Sequence, residues 1–278
     1  MSLSSYAKIN LTLKINNKNK NNLHEIQSYF CLIDLADKII IKKIKKKKDK
    51  ILFKGPFGKL VNRSNNSILS LFTLLRRLGL ISNFYSVTIV KNIPVFAGLG
   101  GGTANVATIL KHLFKTKIRR SLLNQVEDRV GSDLKLFFYN QGFMKNLGLI
   151  TNIKKKHKLF FLLIQPSVKC STKEIYSRVK NYSKKKRLEE NRIKTQSKFI
   201  SYLSKNNNDL QSIVEKKYPI IKELLINIGN EKGCYFSRMT GSGSVCYGLF
   251  NNQIKAKKAL NNLKTKYPKF WSSLAKTV

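Results

Sequence analysis

The sequence predicts a mixed fold of strands and helices, and three stretches carry that reading. Residues 6–15 alternate apolar and polar side chains, the period of a half-buried strand. Val87-Thr88-Ile89-Val90 is a β-branched run that leads into the glycine-rich segment Pro94-Val95-Phe96-Ala97-Gly98-Leu99-Gly100-Gly101-Gly102-Thr103-Ala104-Asn105. Val106, Ile109, Leu110 and Leu113 then recur at helical spacing. Further on, the apolar run Leu159 to Ile164 opens the second half, where another glycine-rich turn, Arg238 to Ser244, precedes the strand Val245 to Phe250. At 278 residues with 42% hydrophobic side chains, the chain suits one large domain or two small ones.

Each element has its own signal. The first strand, Tyr6 to Ile15, puts Lys8, Asn10, Thr12 and Lys14 on one face. A polar turn, Asn16 to Asn22, separates it from the stretch His24 to Phe30 and from a strand around Lys38 to Ile44. The tract Lys45 to Lys50 reads as a solvated hairpin or loop, with Ile51-Leu52-Phe53 as its return strand. Ser67 to Leu78 has helical periodicity, with Asn66 or Ser67 as its cap and Gly79 as its stop. Leu122 to Val130 reads as another helix, ended by Gly131-Ser132-Asp133. An aspartate in such a loop serves as a cap or turn residue as readily as a functional one. Lys180 to Lys205 is polar and irregular, a helix plus loop. Tyr218-Pro219 leads into a helix over Ile220 to Ile228, and Gly233 to Phe236 enters a strand.

The order strand, glycine-rich loop, helix points to phosphate binding. Glycines reach backbone torsions closed to other residues and let phosphate oxygens approach the amides. A helix starting near Thr103 adds unpaired amides and the positive end of its dipole. No Gly-Lys-Ser/Thr closes the run, so it is not a P-loop, and the spacing is not that of a dinucleotide fingerprint. A purely structural turn is the other reading of the same glycines.

Charge is the odd feature: 54 Lys+Arg against 14 Asp+Glu, a net of +40. Such a balance invites a polyanion partner. The excess is mostly Lys, however, accompanied by many Asn and Ile, and these residues share A- and T-rich codons. Aromatics do not interleave with the tracts in a way that would stack bases. Compositional bias is therefore preferred, with no specific nucleic-acid partner. Cys31, Cys170, Cys234 and Cys246 lack metal-ligand spacing and read as buried free thiols. No apolar run is long enough to cross a bilayer, and no secretory leader is seen, so a cytoplasmic protein without a membrane partner is expected.

Four segments in order resemble the GHMP kinases: Ala7-Lys8-Ile9-Asn10-Leu11, Gly98 to Thr103, Gly131-Ser132-Asp133, and Arg238-Met239-Thr240-Gly241-Ser242-Gly243. Weaker likeness at His24, Gln27, Phe30, Asp34, Asp37 and Asn208-Asp209-Leu210 joins them across almost the whole chain. The triple glycine and the Arg-Met-Thr-Gly-Ser-Gly turn favour the branch that phosphorylates 4-diphosphocytidyl-2-C-methyl-D-erythritol in the non-mevalonate isoprenoid pathway. Mevalonate and homoserine kinases fit less well. A kinase of another small alcohol, such as homoserine, and a catalytically dead basic relative that binds RNA are the alternatives. Retention of both Lys8 and Asp133 argues against the dead relative.

The resemblance implies an α+β, two-domain fold. Residues 1–152 would form the N-terminal ATP-binding domain, like domain 2 of ribosomal protein S5, and residues 153–278 a ferredoxin-like α/β sandwich. ATP phosphates would lie on Pro94, Val95, Phe96, Ala97, Gly98, Leu99, Gly100, Gly101, Gly102, Thr103 and Ala104, with Asn66 also binding the nucleotide. Lys8 and Asp133 would be catalytic, since phosphoryl transfer needs positioning and charge neutralisation more than covalent chemistry. Asn10, His24 and Tyr176 would bind the substrate with its cytidine diphosphate moiety, and Thr103 would contact Mg²⁺. The resemblance further implies a monomer or weak homodimer. Four positions depart from the family's pattern. Leu23 replaces an aromatic, Phe96 a small residue, Ala104 a second hydroxyl, and Lys135 a proline.

Overall fold

The computed structural model describes residues 2–18, 24–115, 118–188 and 193–278. Its strands are β1 (Leu3–Asn10), β2 (Lys14–Lys18), β3 (His24–Ile44), β4 (Lys50–Lys54), β5 (Phe84–Val90), β6 (Gln141–Asn146), β7 (Leu149–Asn152), β8 (Phe160–Gln165), β9 (Cys234–Met239), β10 (Cys246–Phe250) and β11 (Trp271–Lys276). Its helices are α1 (Ser67–Arg77), α2 (Gly101–Phe114), α3 (Arg120–Val130), α4 (Thr172–Ser177), α5 (Gln196–Ser204), α6 (Gln211–Lys217), α7 (Pro219–Gly229) and α8 (Gln253–Lys266). The chain forms two compact units from interleaved segments. One takes the residues up to Lys8, Leu35–Val95 and Gly100–Tyr139; the other takes Ile9–Asp34, Phe96–Leu99 and Asn140–Val278.

In the first unit β5 lies between β3 and β4, antiparallel to β3 and parallel to β4. The expected return strand forms, but it pairs with β5 rather than β3, so the exposed lysine tract before it is a loop and not a hairpin. Asp49 supplies the physical reason. Its carboxylate accepts both terminal nitrogens of Arg76 at 2.7 and 2.8 Å and the Tyr85 amide at 2.8 Å, tying the start of β4 to the start of β5. Helix α1 begins as its sequence dictates, with the Asn66 side chain accepting from the Ile68 and Leu69 amides. Gly79 follows its end with φ of +66°. Helix α2 begins at Gly101 rather than near Thr103, because Gly100 in the left-handed region caps it. Its inner face (Val106, Ala107, Ile109, Leu110) joins Leu71, Phe72 and Leu75 of α1, Val87 and Ile89 of β5, and Val126 of α3 in the buried core.

The second unit is built on a four-stranded antiparallel sheet of order β11-β8-β10-β9. Helix α7 packs on β9 and β10, and α8 packs on β8 and β11. Counted from β8, that is the strand order of a ferredoxin-like sandwich. The core includes Phe161, Leu162, Leu163, Tyr247 and Leu249 from the sheet, and Ile221, Leu224, Ile228 and Leu263 from the helices. In the same unit the first part of β3 pairs with β2 and β6. The two stretches expected near His24 and Lys38 are thus one continuous strand. Cys31, Cys170 and Cys246 are buried and Cys234 half-buried, all as free thiols.

Candidate active site

Strand β1 carries Lys8 on its buried face, and the turn after α3 carries Asp133. Their side chains meet, Nζ to Oδ2, at 3.1 Å. Lys8 is 3% exposed, whereas Asp133 keeps 29% of its surface open. Asp133 stands at the N-terminus of a 3₁₀ turn (Leu134–Phe138), yet its carboxylate makes no cap hydrogen bond there. The bland capping role open to it in the sequence is not the one it takes. Gly100 packs directly on this pair. A Cβ added there would sit 2.7 Å from Phe137 Cζ and 3.3 Å from Lys8 Cε, so the close approach of loop and lysine requires glycine.

The first intrahelical bond of α2 runs from the Ala104 amide to the Gly100 carbonyl. The amides of Gly101, Gly102 and Thr103 therefore lie ahead of the helix ladder, facing where the dipole is positive. A Cβ at Gly102 would meet only Ser67 Oγ at 3.7 Å, which leaves that amide approachable. These features fit a phosphate chain. Thr103 donates its hydroxyl hydrogen to the Val130 carbonyl at 3.3 Å, so its oxygen lone pairs remain open to a cation. Among the described residues no three His, Cys, Asp or Glu side chains come together as a metal site. A hard divalent ion would thus depend mainly on phosphate oxygens and water, as Mg²⁺ commonly does. Ala104 is buried, Pro94 is buried, and Val95 is half-buried. The Asn66 amide group is engaged as the α1 cap and donates to the Asn62 and Arg63 carbonyls. Ser67 beside it donates to Gly102 O at 3.4 Å.

Sequence reasoning missed a second pair in this unit. Lys91 is buried and paired with Asp37, and Asp37 also accepts from the Asn92 and Ile93 amides at 2.8 Å each. A Cβ at Gly101 would lie 3.1 Å from Lys91 Nζ. The available signal was a lysine between an apolar strand and the glycine-rich segment, hidden among many others. Lys135, a departure noted above, pairs with Glu127 at 2.5 Å. Burial pushes the Glu127 carboxyl above its ordinary range, and the Lys135 hydrogen bond opposes that.

In the second unit, residues 96–98 run beside the second glycine-rich turn. The Ser244 and Val245 amides donate to the Phe96 and Ala97 carbonyls at 3.1 and 3.3 Å. Gly98 has φ of +71°, and a Cβ there would fall 2.2 Å from the Thr240 carbonyl oxygen. Leu99 is buried. Asn10 is buried too: its backbone N donates to Thr240 Oγ1 at 3.0 Å and its side-chain amide to Ser28 Oγ at 2.8 Å. Asn208 steadies the turn by donating to the Met239 and Gly241 carbonyls at 2.9 and 2.8 Å. Phe96 takes φ of +54°, a region that favours glycine, and its ring is exposed.

The structure also brings His24 and Tyr176 together, ring centroids 5.2 Å apart. Burial, with the Lys18 charge second, holds the His24 imidazole below its ordinary value. Leu23, another departure noted above, lies outside the described residues. Sequence reasoning did not single out Tyr182, whose ring centroid is 6.4 Å from that of His24. Among the described residues no helix is long and apolar enough to cross a membrane.

Comparison with known proteins places this geometry in a family. Residues 66–132 match the GHMP kinases N-terminal domain, and residues 185–269 match the GHMP kinases C-terminal domain. A 4-diphosphocytidyl-2-C-methyl-D-erythritol kinase of Pelagibacter ubique is 34% identical over 281 residues, covering 99% of this chain and 98% of that protein. The enzyme of the same name from Caldanaerobacter subterraneus is 30% identical, covering 99% and 96%. A crystal structure of 4-(cytidine 5'-diphospho)-2C-methyl-D-erythritol kinase shares the fold with a TM-score of 0.75 at 21% identity, covering 99% of each chain. Homoserine kinase from Cytophaga hutchinsonii shares it less closely, with a TM-score of 0.66 at 15% identity over 100% of this chain and 94% of its own. Identities of 34% and 30% over nearly the full length, with the paired lysine and aspartate beside a glycine-rich helix start, show that the chain belongs to the 4-diphosphocytidyl-2-C-methyl-D-erythritol kinases of the GHMP kinase family.

Proposed function

We propose that the protein transfers the γ-phosphoryl group of ATP to the 2-hydroxyl of 4-diphosphocytidyl-2-C-methyl-D-erythritol, with the family's two domains divided near residue 152. The single observation that carries this reading is the Lys8–Asp133 pair at 3.1 Å, its carboxylate open to solvent and its lysine packed under Gly100. Asp133 accepts or orients the proton of the attacking hydroxyl. Lys8 holds that carboxylate in place and offsets charge developing on the transferring group. The segment Pro94 to Ala104 cradles the phosphates, with the amides at the start of α2 as donors and Asn66 setting the adjoining α1 terminus. Thr103 Oγ1 would be the protein group nearest to a Mg²⁺ ion bound with the nucleotide, which would supply charge neutralisation. Asn10, His24 and Tyr176 take the substrate, the last two at its base. On this reading the enzyme works in the cytoplasm as a monomer or weak homodimer, and its basic surface plays no part in turnover.

A coupled ADP-release assay across candidate alcohols tests the proposal. Turnover is expected only with the cytidine-bearing alcohol. Equal turnover of homoserine or of free methylerythritol phosphate overturns it.

A further inference from the structure

Tyr182 poses a physical question. Its ring is 47% exposed, yet the chain just after it is tied down at two points. Ser183 donates its amide to the Ile15 carbonyl at 2.7 Å and its hydroxyl to Asp209 Oδ2 at 2.7 Å, and its carbonyl accepts from Asn16 Nδ2 at 3.0 Å. Three residues on, Gln27 and the Lys186 backbone exchange two hydrogen bonds of 2.8 Å each. Ile15 and Asn16 belong to β2 and Gln27 to β3, which begins with His24, while Asp209 also accepts from the Ile15 amide at 2.9 Å. The backbone beside this half-exposed ring is therefore well placed, and burial accounts for only part of the ring's position.

Its neighbours supply one. The Tyr182 and Tyr176 rings lie 6.4 and 5.2 Å from the same imidazole, tilted by 36° and 43°. Burial, and after it the Lys18 charge, hold that imidazole below its ordinary value, and a neutral ring offers both a donor and an acceptor nitrogen. A pinned aromatic also stacks without having to be ordered first. Resting on the proposed function, we infer that Tyr182 is a specificity-determining residue that offers the substrate's pyrimidine a second aromatic face beside Tyr176.

The test measures steady-state kinetics of the full-length enzyme with the cytidine-bearing alcohol, alongside titration with CMP. Tyr182→Ala is expected to raise both the KM for that substrate and the Kd for CMP about tenfold, the scale of one base–aromatic stack. kcat and the KM for ATP stay at parental values. Tyr182→Phe, which keeps the ring and loses the hydroxyl, stays within about twofold on every measure. Parental KM and Kd in Tyr182→Ala would overturn the inference, as would a Tyr182→Phe variant as impaired as the alanine one. A parent enzyme that turns over another alcohol and does not bind CMP would overturn the proposed function, and this inference with it.

Discussion

Lys8–Asp133 and Lys91–Asp37 join the same two side-chain types within one unit, in opposite surroundings. Asp37 is fully buried, its two oxygens shared among Lys91 and the Asn92 and Ile93 amides. Those contacts fix the chain where β5 ends and the glycine-rich segment approaches. A carboxylate so enclosed is out of reach of a substrate hydroxyl. Asp133 sits in a short turn with part of its surface open, and its lysine comes from a buried strand position. What separates the two pairs is access to the carboxylate, not the identity of its partner, and the proposed chemistry rests on the accessible one.

The largest expected effect follows from the sealed pair. Asp37→Ala leaves Lys91 as an uncompensated buried charge, a loss of about 3–5 kcal/mol, read from the urea midpoint at constant slope. Replacing both partners, Asp37→Leu with Lys91→Met, is expected to recover part of that loss, because no charge is then stranded. Recovery stays incomplete, since the Asn92 and Ile93 amides lose their acceptor at a cost of about 1–3 kcal/mol each. If the double variant is no more stable than Asp37→Ala, charge burial is not what makes this pair matter.

The open pair should respond the other way. Asp133→Asn keeps the side-chain shape but takes the counter-charge from buried Lys8, so stability should fall. The fall should be smaller than the loss of about 3–5 kcal/mol expected at Asp37, because the amide still offers an oxygen and the site is partly open to water. kcat should fall by about 10²-fold or more, about 2.7 kcal/mol in the barrier. Lys8→Ala is also expected to lower kcat. The double variant should be little worse than the more damaging single change if the two act as one unit. Nucleotide affinity, measured by titration, should stay within several-fold of the parent in all three, since the proposal assigns it to loop amides and the helix terminus. Near-parental kcat in Asp133→Asn would show that the carboxylate which matters lies elsewhere.

How much of this was legible in the sequence depended on the range of the contact. The α1 cap at Asn66, the stop at Gly79, the glycine-rich entry to α2 and the end of α3 at Gly131 are written within a few residues, and the chain follows them. Gly98 and Gly100 announce backbone torsions, although not the carbonyl and the lysine that press on them. Strand partners are another matter. Alternation gives a strand its faces but not its neighbour, so a hairpin and a loop are both open for the tract before β4, and only the pairing along β5 decides for the loop. The Asp37–Lys91 pair spans 54 positions, and in a chain with 54 Lys+Arg a single lysine carries almost no signal. Tyr182 lies in a polar tract whose placement comes from hydrogen bonds to residues 15, 16, 27 and 209.

The smallest effect is expected at Phe96, where fold and sequence disagree. At φ of +54° a side chain costs roughly 1–2 kcal/mol relative to the ordinary region. The exposed ring returns little of this. Lys169 Nζ lies 5.9 Å from its centroid, and a contact of that kind at an exposed site is worth about 0.5–1 kcal/mol. Phe96→Gly removes the strain and the ring contact together while loosening the unfolded chain, so its net gain should be about 1 kcal/mol or less. Phe96→Ala keeps the strain and loses the ring, so it should fall below the parent by about 0.5–1 kcal/mol. The gap between the glycine and alanine variants then isolates the backbone term, expected near 1 kcal/mol in favour of glycine. Urea midpoints of the three proteins measure it, and equal midpoints for glycine and alanine would mean that Phe96 bears no strain. Turnover sharpens the contrast with Asp133: removing Phe96 leaves the Lys8–Asp133 pair intact, so any loss should appear in the KM for ATP, whose phosphates its segment is proposed to cradle, while kcat falls far less than when the open carboxylate itself is changed.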